Sequence, residues 1–304
     1  MKRVYIVLLL HVCTLLLFAQ HKIGVTIGGM TASQLDNIDI TTSKLGYAGE
    51  MGAVYQLQKK SFLFQTGVGV DYAVLLQNID SVSLAEEMVD AYGIKFTYRS
   101  LFYDRIDRAD VVELSVPLMF GAKFSSFYAL LGAKFIYPLS VQTSQSAKLT
   151  SHADYKGMFY EDFENMPQHG YVNAQPMYSK GKIDFNYDVR ACVELGGNFD
   201  LTESAKGNAI QLTLGVFAEY GVLNTLASSN NNLIDIDYEN YQNTKMNHVY
   251  STKLPSNAVV NNLRVGLRAT ILFPVAGEGN ARHNKKCMCI DYIYRKHPAY
   301  RKRR

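Results

Sequence analysis

Apolar and polar residues alternate without a break across 183–199. Ile183, Phe185, Tyr187, Val189, Ala191, Val193, Leu195, Gly197 and Phe199 fall on one side of the alternation. Asp184, Asn186, Asp188, Arg190, Cys192, Glu194, Gly196 and Asn198 fall on the other. Successive strand side chains point to opposite faces, so the segment predicts a strand with one apolar and one polar face. The pattern recurs at 22–30, 45–58, 61–76, 111–124, 127–139, 209–222 and 259–273, making eight segments. Strands of soluble proteins commonly run about 5–6 residues, whereas a tilted membrane-spanning strand needs roughly 9–11. These segments run from 9 to 17 residues, which favours a bilayer over a soluble sandwich.

The connections support that choice. Segments 31–44, 77–110, 140–182 and 223–258 are long, whereas 59–60, 125–126 and 200–207 are short. Long loops on one side and tight turns on the other are the habit of outer-membrane barrels. The predicted fold is all-β, an eight-stranded antiparallel up-and-down transmembrane β-barrel over residues 20–273. An even strand number puts both termini on the periplasmic side.

The first residues supply an address. Lys2 and Arg3 precede an apolar run from Val4 to Phe18, and Ala19 is a suitable cleavage position, so 1–19 reads as a secretory signal peptide. The run is too short to span a bilayer comfortably. Outer membrane is therefore the expected location, and outer-membrane lipid the expected surroundings.

Composition changes the picture in three places. There are 21 Tyr and 15 Phe but no Trp. Phe62, Phe64, Phe124, Phe127, Phe199 and Phe273 with Tyr55 lie near one set of strand ends, and Tyr47, Tyr72, Tyr137, Tyr187 and Tyr220 toward the other. Rings so placed form girdles at bilayer interfaces. Residues 274–304 hold nine Lys and Arg against Glu278 and Asp291, or +7, so the remainder of a +4 chain sums to −3. The tail thus reads as a separate basic periplasmic element for an anionic partner; the periplasmic address excludes nucleic acid. Of four Cys, Cys13 leaves with the signal peptide, Cys192 faces inward, and Cys287 and Cys289 match no standard zinc spacing, so neither metal nor cofactor is expected.

An eight-stranded lumen is just wide enough for side chains to fill. The inward positions include Glu50, Asp71, Glu113, Lys134, Arg190, Glu219, Arg264 and Arg268, with Asp184, Asp188 and Glu194. Charges kept from bulk water must pair, so the first eight are expected to form an ion-pair network that plugs the barrel. Ten inward glycines (Gly24, Gly28, Gly52, Gly67, Gly69, Gly121, Gly132, Gly196, Gly215, Gly266) are expected to make room for those long side chains. All seven His lie outside the strand segments and the lipid face carries no acid–base pair, so no enzyme is expected. The loop 140–182 carries Tyr155, Phe159, Tyr160 and Phe163 among acidic residues, a surface suited to an extracellular protein or glycan. Residues 83–92 show a helix-start pattern and predict a short helix.

Val112–Phe124 with Phe127–Phe135, the opening Ile23–Gly29 and the closing Leu263–Arg268 together resemble PorT-like outer-membrane β-barrel proteins across roughly residues 20–273. The resemblance implies the same barrel. For the family's namesake it also implies a place in a protein-secretion and gliding-motility apparatus. Together these readings predict an outer-membrane barrel of structural or interaction type, the alternatives being a PorT-type secretion component and a small porin.

Overall fold

A computed structural model describes residues 20–275 apart from 91, 156–162, 165, 167–168, 170, 203–208, 228 and 238–239. The expected signal peptide, Cys287, Cys289 and all but the first two residues of the expected tail lie outside the described residues. The long strands are β1 (Gln20–Asp36), β2 (Thr41–Lys59), β3 (Phe62–Ile79), β5 (Lys95–Phe124), β6 (Phe127–Asp154), β9 (Asp188–Asp200), β10 (Gln211–Gly221) and β13 (Val260–Pro274). Shorter ones are β4 (Val82–Val89), β7 (Phe163–Glu164), β8 (Gln175–Lys182), β11 (Ile234–Asp235) and β12 (Lys245–Met246).

The long strands form a closed ring. β1 pairs β2, β2 pairs β3, β3 pairs β5, β5 pairs β6, β6 pairs β9, β9 pairs β10, β10 pairs β13, and β13 returns to β1. Every pairing is antiparallel, and closure removes the edges that an open sheet of this size would expose. Two hairpins at one end turn tightly at Lys60–Ser61 and Ser125–Ser126. Lys60 and Ser125 take left-handed backbone (φ 54° and 57°), the first position of turns whose twist matches the strands. The first turn lies one residue later than the alternation predicts, because Lys59 still pairs with Phe62.

Outward positions form an apolar belt. Ile27, Met51, Val68, Leu131, Leu195, Val216 and Leu267 are each more than half exposed. Exposed Phe62, Phe124, Phe127, Phe199 and Phe273 edge the belt at the turn end, and exposed Tyr47, Tyr72, Tyr137, Tyr187 and Tyr220 at the other. Tyr55 and Phe64, expected among them, are half-buried, and Tyr55 hydrogen-bonds His21.

At the end away from the tight turns the structure departs from expectation. The expected loop 31–44 is mostly strand, leaving only residues 37–40 between β1 and β2. Much of 77–110 and 140–182 is strand as well, because β5 and β6, 30 and 28 residues long in all, continue past the ring. The two pair with each other along almost their whole length, which satisfies their backbone beyond the other strands. The extension is a blade in which β4 flanks β5, while β8 and β7 flank β6. Residues 83–92, expected as a helix, begin with strand instead. Val82, Leu84 and Met88 are half-buried at alternate positions, and pairing with the overlong β5 overrides the local capping pattern. The strand expected from 183 begins at Asp188. Ile183 and Phe185 turn inward onto the core, while Asp184, expected inside, is exposed.

Inside the ring, layers stack along the axis. Leu63, Met119, Tyr128, Leu130 and Cys192 form an apolar layer toward the turn end. Met30, Ala48, Ala73, Leu75, Ala109, Val111 and Val141 form another toward the blade. Charged side chains lie between them.

Closure between first and last strands is testable by cross-linking. Ile27 and Ala269 are register partners on the outer face, so their Cα atoms should stand ~4.5–5.5 Å apart, within disulfide reach. With native cysteines replaced by serine, Ile27→Cys/Ala269→Cys should oxidise to an intramolecular bond seen as a mobility shift. Ile27→Cys/Thr270→Cys, on opposite faces, should not.

Candidate functional site

The charged layer is assembled by register. Glu50, Asp71 and Glu113 are partners on β2, β3 and β5, so three carboxylates stand in one row. Across the lumen Lys134 and Arg190 are partners on β6 and β9, and Glu219 and Arg264 on β10 and β13. Arg268 follows four residues later on β13, toward the turn end. All eight expected residues therefore lie in one cluster, and their side chains are 10% exposed or less.

Each cation meets several carboxylates. Lys134 Nζ lies 2.7 Å from Glu50, 2.9 Å from Asp71 and 3.1 Å from Glu219. Arg190 donates both hydrogen bonds of one amino group to Glu113, at 2.8 and 2.9 Å. Arg264 donates to the same carboxylate at 2.8 Å and lies 3.7 Å from Asp71. Arg268 bridges Glu50, Glu194 and Glu219, and its guanidinium stacks 4.1 Å above the Phe217 ring. Asp188 joins beside Arg190 at 3.4 Å.

The four cations thus face six carboxylates, and neutral donors serve the excess. Ser115 donates to Asp71 at 3.0 Å, Tyr128 to Glu194 at 2.5 Å, and the Leu223 amide to Asp188 at 3.3 Å. Removing an ion from water costs several kcal/mol, which only close, multiply bonded geometry offsets. Glu194 and Asp188 were legible as inward positions but not as members of the cluster.

Only some glycines make room for these groups. A Cβ at Gly28 would fall 2.7 Å from a Glu50 oxygen, and one at Gly215 would fall 2.5 Å from the Tyr128 hydroxyl. At Gly24, Gly52, Gly67, Gly121, Gly132 and Gly266 it would instead fall within 2.6 Å of a carbonyl oxygen on a neighbouring strand. Those six serve the close, strongly coiled approach of strands in a narrow ring, which corrects their expected role.

Above the charged layer the connection between β10 and β13 folds into the mouth. Val249 and Tyr250, in a short 3₁₀ turn, are fully buried against Ile38, Ile79 and Val260. Asp107 accepts from the Val249 amide at 2.8 Å and is held by Arg105 at 2.8 and 3.0 Å. Arg105 also donates to the Asn247 and Leu233 carbonyls. Tyr250 donates to Asp36 at 2.6 Å and accepts from Gln77 at 2.6 Å. His248 accepts from the Tyr250 amide at 3.2 Å. Burial, reinforced by Arg105, holds its imidazole down at about 4, against an opposing pull from Asp107. Arg105 and Asp107 continue the period of two that puts Ala109, Val111 and Glu113 inside, so alternation read past 111 would have found them. Nothing in the spacing of His248 or Tyr250 marks them.

The expected loop surface is only partly described. Tyr155 stacks on Phe96 (5.0 Å between centroids, 23° between planes) and donates to Asp90, so it packs onto the blade. Phe159, Tyr160 and the Phe163 side chain lie outside the described residues. Among the described residues no group of three or more His, Cys, Asp or Glu has the arrangement of a metal site, and no helix is long and apolar enough to cross a membrane.

Neither a protein-family model nor a curated protein sequence matches the chain. Among solved structures, the chain is similar to Ail, the attachment invasion locus protein of Yersinia pestis, in complex with the heparin analogue sucrose octasulfate. The TM-score is 0.27 at 9% identity, over 82% of this chain and 98% of that one. A likeness of that size carries no functional argument.

Two measurements test the charged layer and the mouth. Arg264→Ala removes a partner from buried Glu113 and Asp71 and should cost ~3–5 kcal/mol in denaturant unfolding. Arg99→Ala breaks an exposed pair with Asp154 and should cost about 0–1 kcal/mol. His248 has a folded-state value of about 4 against 6.5 unfolded, so the folded state takes up fewer protons between those values. Its contribution is present above pH 6.5 and is lost as pH falls toward 4, by ~3 kcal/mol. His248→Asn keeps an acceptor for the Tyr250 amide and should flatten that part of the stability–pH curve.

Proposed function

We propose that the chain is an integral outer-membrane β-barrel of structural or interaction type, crossing the bilayer with the eight strands of its ring. Residues 1–19 export it, 20–273 form the barrel, and the basic tail 274–304 lies in the periplasm for an anionic partner there. The blade and the folded mouth project outside the cell and bind protein or glycan. The lumen is plugged and no catalysis is assigned.

One observation carries the reading: a belt of exposed apolar side chains, bounded by aromatic rings, surrounds a ring whose interior is filled with paired charges. Ten residues separate Phe62 from Tyr72, and ten separate Phe127 from Tyr137. At ~3.4 Å per residue and a tilt of ~40° the two girdles stand ~26 Å apart along the axis, matching the ~25 Å apolar band of outer-membrane barrels. A belt of that size in water would be an aggregation site. Lipid is the solvent that suits it.

The lumen argues against a porin. Lys134, Arg190, Arg264 and Arg268 lie across it, with the apolar Ala and Val layer and the docked Tyr250 turn above them. In planar bilayers the purified protein should insert and show no steady conductance; stable ion-selective openings would overturn the plugged lumen. Leu214, 47% exposed on the belt, tests the lipid face. Leu214→Arg should cost ~2–4 kcal/mol of stability in bilayers. Thr213→Arg on the opposite face should rank below it, and the reverse order would mean a register wrong by one residue.

A further inference from the structure

We propose that a patch of cations on the outer wall, beyond the tyrosine girdle, binds the phosphates of a glycolipid whose acyl chains lie along the belt. Register assembles the patch. Lys44 on β2, Leu76 on β3, Arg108 on β5, Ser144 on β6 and Lys180 on β8 are successive partners across five strands. One row nearer the girdle, Asp110, Gln142 and Lys182 are partners on β5, β6 and β8. These side chains point outward, because the residue before each cation or its partner faces inside. Ser43 accepts from Gln77, Asp107 and Thr143 are buried, and Ser179 accepts from the Met246 amide.

Charge selects the chemistry of the occupant. The two rows hold Lys44, Arg108, Lys180 and Lys182 against a single carboxylate, Asp110. Arg108 already holds that carboxylate at 2.6 and 2.9 Å, and Tyr72 donates to it at 2.6 Å. Lys44, Lys180 and Lys182 are exposed, and among the described residues none of the three has an ion-pair partner. Asp184, exposed two residues past Lys182, still leaves the patch with a positive excess. Strands ~4.8 Å apart set Arg108 ~10 Å from both Lys44 and Lys180, and Lys180 lies ~7 Å from Lys182 along its strand. Long cationic side chains at that spacing can converge on phosphate oxygens, which guanidinium and ammonium groups bind with charge-assisted hydrogen bonds. Toward the same end of β1 and β13 the outward positions are Ser33, Leu35, Leu263 and Asn261, none of them charged. The cations therefore form a patch under the blade, not a collar around the ring.

Height selects the source of the phosphate. Lys44 lies three residues beyond Tyr47, and Arg108 four beyond Val112, the partner of Tyr72. Lys182 and Lys180 pair with residues five and seven beyond Tyr137. At ~3.4 Å per residue and a tilt of ~40° the cations stand from ~8 to ~18 Å above the girdle. A phospholipid headgroup layer is only ~5–8 Å thick. An oligosaccharide headgroup carrying phosphates at several depths reaches all four, and phosphorylated glycolipid is the material of the outer leaflet of an outer membrane.

This inference rests on the outer-membrane reading above and names a lipid partner for it. The test titrates the full protein in detergent micelles with rough lipopolysaccharide, the same lipid stripped of phosphate, phosphatidylglycerol and inorganic phosphate, and follows binding by native mass spectrometry. The phosphorylated glycolipid should bind at least about tenfold more tightly than each of the others. Lys44→Gln/Lys180→Gln/Lys182→Gln, at exposed positions without ion pairs, should keep the unfolding midpoint and lose at least about tenfold in that affinity. Lys95→Gln/Lys245→Gln/Lys253→Gln removes the same charge from exposed positions on the blade and mouth and should leave the affinity unchanged. Equal binding of the stripped lipid, of phosphatidylglycerol or of inorganic phosphate, or equal loss in the two triple variants, would each overturn the proposal. Insertion into bilayers without conductance, alongside no preference for the phosphorylated glycolipid, would remove this inference and leave the barrel reading standing.

Discussion

A lysine ammonium and three guanidinium groups stand inside a ring too narrow for bulk water, and the arrangement of the lumen follows from that constraint. An isolated charge there would cost many kcal/mol. The solution is a row of carboxylates on β2, β3 and β5 facing cations supplied by β6, β9 and β13. Because the partners come from different strands, the pairs hold only when the ring is closed and in register. A slip of one residue on any strand would send its charge into the belt and an apolar side chain into the network. The ion pairs need not add net stability over an apolar core to enforce this. They penalise wrong registers, which an all-apolar lumen would tolerate.

The same constraint explains the glycines and the layering. Long side chains directed to one level of a narrow lumen need vacant positions beside them, which Gly28 and Gly215 provide. They also need apolar layers above and below to keep water from the pairs, which the Met119–Leu130 and Leu75–Val111 groups supply. At the mouth the problem recurs in milder form. Arg105 and Asp107 are fully buried, and the connection between β10 and β13 meets them with main-chain groups of Leu233, Asn247 and Val249.

The ring was legible because its signal is local: a period of two needs only neighbouring residues, and eight repetitions with tight turns between them leave few alternatives. The charged cluster was legible for the same reason, since inward parity and position along each strand place Glu50, Lys134, Arg190 and Arg264 at one level. The blade was not. In 95–110 the alternation weakens, because Tyr98, Phe102 and Ala109 share the inner face with Arg105 and Asp107, and buried polar residues read as a loop. The Ser83 and Glu86 of β4 fit a helix cap, and only pairing with β5 decides otherwise. The docked turn at Tyr250 depends on contacts with Asp36 and Gln77, more than 170 residues away in sequence.

These features locate where binding can occur. Paired charges fill the lumen at mid-height and a docked turn covers the mouth, while the belt offers only apolar contact. What varies in chemistry along the surface is the blade, held up by the two longest strands. Their overlength is not needed to close the ring, in which β9 and β10 take part with 13 and 11 residues. It carries an ordered sheet away from the ring, in which β4 has no strand on its outer side among the described residues. Extending β5 and β6 as one continuous pair ties that sheet rigidly to the plugged ring, so a load applied at the blade is borne by the closed hydrogen-bond network of the barrel.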